Sequence, residues 1–208
     1  YYGSYNCSKK IVNQINWSQQ AKLGVWQKII QLKICNQKKF LEELGFKSQV
    51  KILDKYQQET QLGDVTNREG HSAKVYFNCL FGLEHTRRDE NFYNSALNYG
   101  YSILLSCVNR EVVKNGYLTQ LGIWHSGDFN EFNLTCDIME PFRILIDKIV
   151  YALPENDANF KIKILEIFNT QQKIDGKLQY FENALSIYCQ SVFKALETNN
   201  VDIIRCYE

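Results

Sequence analysis

Apolar residues recur every three to four positions through most of the 208-residue chain, and this spacing predicts a mainly α-helical protein. The longest such run extends from Ile15 to Leu44, with Ser18 as a candidate N-cap and Gly45 as a stop. Further helices are predicted at about 48–58, from the 66–69 region to about 81, at 91–114, from about 132 to just before Pro154, from 156 to about 167, and at 182–197.

Local signals refine this pattern. Thr66 followed three residues later by Glu69 fits a capping box, which predicts where the helix ending near Phe81 begins. Asp175-Gly176 between alternating residues predicts a two-stranded hairpin. The fold class is therefore mainly α, a multi-helix domain with a small β-hairpin insert.

Composition narrows the class of protein. A 24.4 kDa chain with 45% hydrophobic and 23% charged residues is ordinary for a globular domain. Seven widely spaced cysteines without a Cys-x-x-Cys pair disfavour a disulfide framework or zinc knuckle and favour a reducing cytoplasm. No apolar run approaches the roughly 18 residues of a membrane span. A net charge of only +1 requires any DNA contact to come from a local patch or an oligomer.

Two segments concentrate candidate chemistry. Residues 118–143 place the loop residue His125 ahead of Asp137 and Glu140, which share a helix face at a spacing of three. Residues 67–77 supply another carboxylate, Glu69. Carboxylates with one imidazole suit Mg²⁺ or Mn²⁺ better than a structural zinc ion. The pattern predicts a metal site for phosphodiester chemistry.

Each of these residues also has a structural interpretation. Glu69 fits the third helical position of the capping box. His125 fits a loop histidine that bonds a backbone carbonyl. Glu140 is spaced to form an ion pair with Arg143, three residues further on.

A series of motifs in fixed order carries a family resemblance: QINW (14–17), KICNQ (33–37), NREGHSAKVYF (67–77), ALNYGYSIL (96–104), GYLTQLGIWH (116–125) and DIMEPFR (137–143). Together they resemble the CRISPR-associated protein 1 family, the integrase of spacer acquisition. The residues within the motifs are most similar to those of its type II-A branch. The likeness covers almost the whole chain. Ile144 departs from the pattern, since the family often has proline there.

The resemblance implies a domain organisation and a chemistry. Residues 1–14 would be a linker from an N-terminal β domain that is absent from this chain, and 15–208 the helical catalytic domain. Glu69, His125 and Glu140 would bind Mg²⁺ or Mn²⁺. Asp137 would be a further catalytic residue, which either supports the metal ligands without binding the ion or replaces one of them as a ligand. The implied function is a metal-dependent DNA integrase and endonuclease that inserts short foreign DNA fragments, spacers, into a CRISPR array by 3′-hydroxyl attack.

The resemblance also implies partners: spacer-precursor and repeat DNA, a second copy as a homodimer, CRISPR-associated protein 2, and in the type II-A branch the effector endonuclease and a ring-shaped accessory protein. Candidate DNA-binding residues are Arg68, Lys74, Arg87, Arg88, Arg110 and Arg143. Each could instead be solvated or paired with a glutamate. The alternative function is a noncatalytic all-helical interaction domain whose acidic residues cap helices.

Overall fold

A computed structural model of the chain describes residues 7–208 and shows a mainly helical fold with one small hairpin, as predicted. The helices and strands are α1 (Cys7–Ile15), α2 (Gln19–Glu43), α3 (Lys47–Glu59), α4 (Arg68–Phe81), α5 (Phe92–Lys114), α6 (Asn133–Met139), α7 (Arg143–Tyr151), α8 (Phe160–Leu165), β1 (Gln171–Ile174), β2 (Lys177–Tyr180) and α9 (Phe181–Thr198). Short 3₁₀ turns lie at Leu62–Asp64, Glu140–Phe142, Glu166–Asn169 and Val201–Ile203.

Helix α2 is the centre of the fold, because it contacts α3, α4, α6, α7 and α9. Its Ile29, Ile30 and Ile34 are fully buried. Helix α5 packs on α6, α7, α8 and α9 and contributes the buried Leu97 and Leu104 to the same core. Helix α2 therefore borders α4 and the 3₁₀ turn Glu140–Phe142, which carry Glu69 and Glu140.

Several predicted boundaries are confirmed because their signals are local. Ser18 caps α2, and its hydroxyl accepts a hydrogen bond from the Ala21 amide. Asn91 caps α5, which ends at Lys114 and is followed by the C-cap residue Asn115 and by Gly116 in the left-handed region. Strands β1 and β2 pair antiparallel with Ile174 opposite Lys177 across the predicted Asp-Gly turn.

The helix predicted from residue 132 to before Pro154 is wrong as a single element. It is divided into α6, the 3₁₀ turn Glu140–Phe142 and α7, with Pro141 inside the turn. Proline has no amide hydrogen and its ring clashes with the preceding turn, so it interrupts the α-helical bonding.

The expected linker is only partly within the described residues. Residues 1–6 lie outside them, and residues 7–14 belong to α1. The buried Gln14 amide donates to the carbonyls of Leu118 and Leu121 at 2.8 and 2.9 Å and thereby fixes α1 to the chain that leads to His125. Within residues 7–208, none of the helices is long and apolar enough to cross a membrane.

Candidate active site

Glu69 lies in the first turn of α4, but the predicted capping box is wrong. The N-cap is Asn67, whose side chain accepts from the Gly70 amide at 3.2 Å. Asp64 accepts from the amides of Arg68 and Glu69 at 2.8 and 2.9 Å. These two side chains satisfy the free amides of the helix start, so the Glu69 carboxylate is not needed for capping.

Glu140 begins the 3₁₀ turn after α6 and is buried. Its Oε1 accepts from Nε of Arg143 at 2.9 Å, the ion pair that the spacing of three allowed. Its Oε2 lies 2.5 Å from Nζ of Lys33. Burial alone would raise the pKa of Glu140, but Arg143 and Lys33 hold it at about 2.

Lys33 connects the two glutamates. It projects from α2 with a side chain only 7% exposed, and its ammonium is ion-paired with both Glu69 and Glu140. Burial opposes the charged form of Lys33, but Glu140 and Glu69 raise the pKa above its ordinary value. The KICNQ motif contains this lysine, but nothing in the motif indicates that the lysine meets carboxylates 36 and 107 residues away.

Asp137 is fully buried and organises the loop that carries His125. Its Oδ2 accepts from the amides of Ile123 and Trp124 at 2.6 and 2.9 Å, and its Oδ1 accepts from the His125 amide at 3.1 Å. The loop wraps closely because Gly122 has no side chain: a Cβ there would lie 2.2 Å from the His125 carbonyl oxygen. Asp137 and Glu140, although close in sequence, therefore bind different partners.

The His125 ring is held by the same carboxylate. Its Nδ1 lies 2.5 Å from Oδ1 of Asp137, and its edge packs on Trp26 at 5.8 Å between centroids. Trp26 also stacks on Trp124 at an interplanar angle of 4°. The hydrogen bond to Asp137 raises the pKa of His125 despite partial burial, with smaller contributions from Glu140 and Glu69. The ring therefore lies within electrostatic reach of both glutamates.

A cleft of about 200 Å³ opens beside Lys33, Glu69 and Glu140. Arg87 and Arg143 line it, as do the aromatic ring of Tyr101 and the carboxylate of Asp147. Tyr101 belongs to the ALNYGYSIL motif, whereas Asp147 lies outside every motif of the sequence. The Tyr101 hydroxyl donates to Asp147 at 2.5 Å, and burial raises the pKa of Asp147 to about 6.

The six predicted DNA-binding residues are not all in one place. Arg143 and Arg87 line the cleft, and Arg87 also donates to the side chains of Asn94 and Asn98. Exposed Lys74 and Arg88 lie on α4 and in the α4–α5 loop.

The other two are ion-paired on other surfaces. Arg68 pairs with Glu59 at 2.8 Å, and Arg110 pairs with Glu182. Both guanidinium groups therefore contact neighbouring carboxylates. Pairing with a glutamate is the alternative to DNA binding that the sequence allows for these residues.

The donor chemistry fits a hard divalent cation once Lys33 is taken into account. Within residues 7–208, no three His, Cys, Asp or Glu side chains are gathered closely enough to hold a metal ion as they stand. However, Glu69 and Glu140 already share one cation, the Lys33 ammonium. Asp137 contacts His125 through Nδ1, so Nε2 is the ring nitrogen that could bind a metal ion. Two carboxylates and one imidazole are a ligand set suited to Mg²⁺ or Mn²⁺.

Comparisons with known proteins agree with the sequence motifs. The family profile "CRISPR associated protein Cas1" matches residues 3–163. The chain is 40% identical over 155 residues to the CRISPR-associated endonuclease Cas1 of Neisseria meningitidis serogroup C (strain 8013), covering 74% of this chain and 51% of that protein. It is 30% identical over 128 residues to CRISPR-associated endonuclease Cas1 1 of Francisella tularensis subsp. novicida (strain U112), covering 57% and 37%. The chain thus spans about half the length of the Neisseria relative and 37% of the Francisella relative.

Solved structures share the fold. A partial Cas6-RT-Cas1–Cas2 complex contains a chain that matches with a TM-score of 0.78 at 17% identity, covering 98% of this chain and 75% of that one. A casposase bound to integration product matches with a TM-score of 0.74 at 18% identity, covering 93% and 70%. On the family profile and the sequence identity, this chain belongs to the Cas1 family of CRISPR-associated proteins.

Proposed function

We propose that the chain carries the catalytic centre of a divalent-metal-dependent DNA integrase and endonuclease, which joins short DNA fragments to a repeat array by attack of a DNA 3′-hydroxyl. The supporting observation is that Glu69 and Glu140, from separate elements, share one cation, and that both contribute to raising the pKa of His125, whose ring is oriented by Asp137. The names of the relatives add support, since they are called endonucleases, and the casposase neighbour is described as bound to integration product.

Glu69, Glu140 and Nε2 of His125 would hold Mg²⁺ or Mn²⁺. When bound, such an ion lowers the pKa of an attacking hydroxyl or water and offsets the charge that develops on the phosphate. In the neutral imidazole, Asp137 would accept the proton on Nδ1, so that Nε2 would present its lone pair to the ion. In this proposal Asp137 acts from outside the ligand set, because backbone amides and His125 already occupy both of its oxygens.

Arg143 and Arg87 would place the phosphate. Both guanidinium groups line the cleft beside the two glutamates, and both lie over the Tyr101 ring, at 4.6 and 5.5 Å from its centroid. The ring limits their movement, and guanidinium groups bind phosphate oxygens through paired hydrogen bonds. Positioning of this kind supplies charge beside the reacting phosphate without a protein nucleophile.

The proposed partners are spacer-precursor and repeat DNA, a second copy of the chain and CRISPR-associated protein 2. Structural neighbours described as Cas1–Cas2 complexes support the last of these. The type II-A branch, its effector endonuclease, its ring-shaped accessory protein and the cytoplasmic location stay predictions from the sequence.

Calorimetric titration of the purified protein with Mn²⁺ tests the proposed metal site. Glu69→Gln, His125→Ala and Glu140→Gln should each weaken Mn²⁺ binding at least tenfold. Glu182→Gln, which removes a surface glutamate paired with Arg110, should bind Mn²⁺ as the unaltered protein does. Binding that is equal in all five proteins would favour the noncatalytic interaction domain instead.

A further inference from the structure

The position of Lys33 suggests a role beyond a structural ion pair. Its ammonium contacts Oε1 of Glu69 and lies 2.5 Å from Oε2 of Glu140. The remaining oxygen of Glu140 accepts from Arg143. Both oxygens of Glu140 are therefore engaged by cationic side chains.

The charges of this cluster balance as it stands. Lys33 and Arg143 contribute two positive charges, and Glu69 and Glu140 contribute two negative charges. A divalent ion added to this set would place two further positive charges beside the ammonium in a largely buried site, where charges repel more strongly than in water. If the ammonium leaves, the remaining three charged groups carry a net charge of −1, which attracts a divalent ion.

The cleft offers room for the ammonium to move. Lys33 lines the space of about 200 Å³ together with Gln37 and Phe77, and the four-carbon stem of lysine is flexible. The stem can therefore carry the ammonium from the carboxylates into the cleft without moving α2.

We propose that Lys33 is the resident counter-cation of the metal-free site and that its ammonium and the catalytic metal exclude each other from Glu69 and Glu140. Lys33 is then a positioning residue: it keeps the two carboxylates together until the ion replaces it. This inference rests on the proposed metal-dependent function, and the experiments below separate the two.

The first experiment measures Mn²⁺ affinity of Lys33→Met by calorimetry and thermal stability with EDTA or Mn²⁺. Without its resident cation, the variant should melt at a lower temperature in EDTA, bind Mn²⁺ at least tenfold more tightly and gain more thermal stability from it. Lys38→Met is the matched control, because Lys38 lies on the same helix and pairs with Asp54 at 2.6 Å, outside the site. This control should match the unaltered protein in Mn²⁺ affinity.

The second experiment needs no variant and decides the matter if Lys33→Met does not fold. The unaltered protein is treated briefly with acetic anhydride in EDTA or in Mg²⁺, and acetylation of each lysine is measured by mass spectrometry. Lys33 should be protected in EDTA and acetylated several-fold faster in Mg²⁺, whereas Lys38 should react equally in both.

The outcomes are distinct. The exclusion is wrong if folded Lys33→Met binds Mn²⁺ as weakly as the unaltered protein or more weakly. It is also wrong if the unaltered protein binds Mg²⁺ but the ion does not change the acetylation of Lys33. Neither of these results contradicts the metal site itself. If neither the unaltered protein nor Lys33→Met binds Mn²⁺, the proposed metal site is wrong and the inference falls with it.

Discussion

Replacement of Asp137 by asparagine should damage both the stability of the protein and its metal binding. The Asp137 side chain is fully buried and its two oxygens receive four contacts. The amides of Ile123 and Trp124 reach Oδ2, and the amide and Nδ1 of His125 reach Oδ1. Asparagine keeps the shape but offers one acceptor oxygen and two donor hydrogens.

The magnitude follows from the donors that lose their acceptor. Whichever way the asparagine side chain is turned, two of the four nitrogens face its NH₂ group. A buried donor left unsatisfied costs about 1–3 kcal/mol, so the free energy of unfolding should fall by about 2–6 kcal/mol if the NH₂ group faces the amides of Ile123 and Trp124, and by about 1–3 kcal/mol if it faces His125, where only the backbone amide loses its acceptor. If the NH₂ group faces Nδ1 of His125, it donates to that nitrogen, and the ring proton moves to Nε2. Loss of such an orienting carboxylate typically weakens metal binding by about 10- to 100-fold.

Urea unfolding measures the first effect and Mn²⁺ calorimetry the second, while ¹⁵N chemical shifts of the imidazole report which ring nitrogen carries the proton. Asp54→Asn is a suitable control, since Asp54 is about half exposed and its ion pair with Lys38 is expected to contribute no more than about 1 kcal/mol. Asp137→Asn with unchanged stability and unchanged Mn²⁺ affinity would refute the role given to Asp137.

Three further predictions concern the surroundings of the site. Because burial raises the pKa of Asp147 from 3.8 to about 6, its contribution to stability is present below pH 3.8 and is lost as the pH rises through 6. Asp147→Asn should therefore be more stable than the unaltered protein above pH 6, by up to about 3 kcal/mol in urea unfolding, with the advantage vanishing near pH 4. Replacing Arg87 and Arg88 by alanine should flatten the salt dependence of DNA binding by roughly one to two units of slope in fluorescence anisotropy, and an unchanged slope would mean that neither contacts phosphate. Gly100→Ala should lower the free energy of unfolding by about 1–3 kcal/mol, since its Cβ would lie 2.3 Å from Cγ2 of Ile146, and an unchanged urea midpoint would contradict this packing.

The parts of the fold that could be predicted are those set by neighbouring residues. Ser18 and Asn91 lie directly before apolar runs, and Asp175-Gly176 lies between two short alternating segments. In each case a side chain bonds the backbone within three residues, or the turn requires left-handed backbone. Such signals do not depend on the rest of the molecule.

The errors arose where several neighbouring residues compete for one role, and the missed contacts are those between residues distant in sequence. Thr66 and Asn67 are both acceptable N-caps by residue type, and the carboxylate of Asp64 reaches the same helix start and releases Glu69 from a capping role. The ion pairs of Lys33 join residues far apart in sequence, and a lysine on a helix gives no sign of its partner. The motifs identified Glu69, His125, Asp137 and Glu140 as candidates, but only the structure shows the cation between the two glutamates.

Glu140 and its partners are proposed to support metal-dependent strand transfer, and a DNA-joining assay measures that reaction itself. Fluorescent DNA fragments with 3′-hydroxyl or 3′-dideoxy ends are incubated with a plasmid carrying a repeat array, CRISPR-associated protein 2, and either Mg²⁺ or EDTA. Labelled plasmid should form only with 3′-hydroxyl ends and Mg²⁺, and Glu140→Gln should abolish it while Glu182→Gln does not. Joining that persists in EDTA, with 3′-dideoxy ends or with Glu140→Gln would show that the reaction does not need the metal ion, the 3′-hydroxyl or this carboxylate.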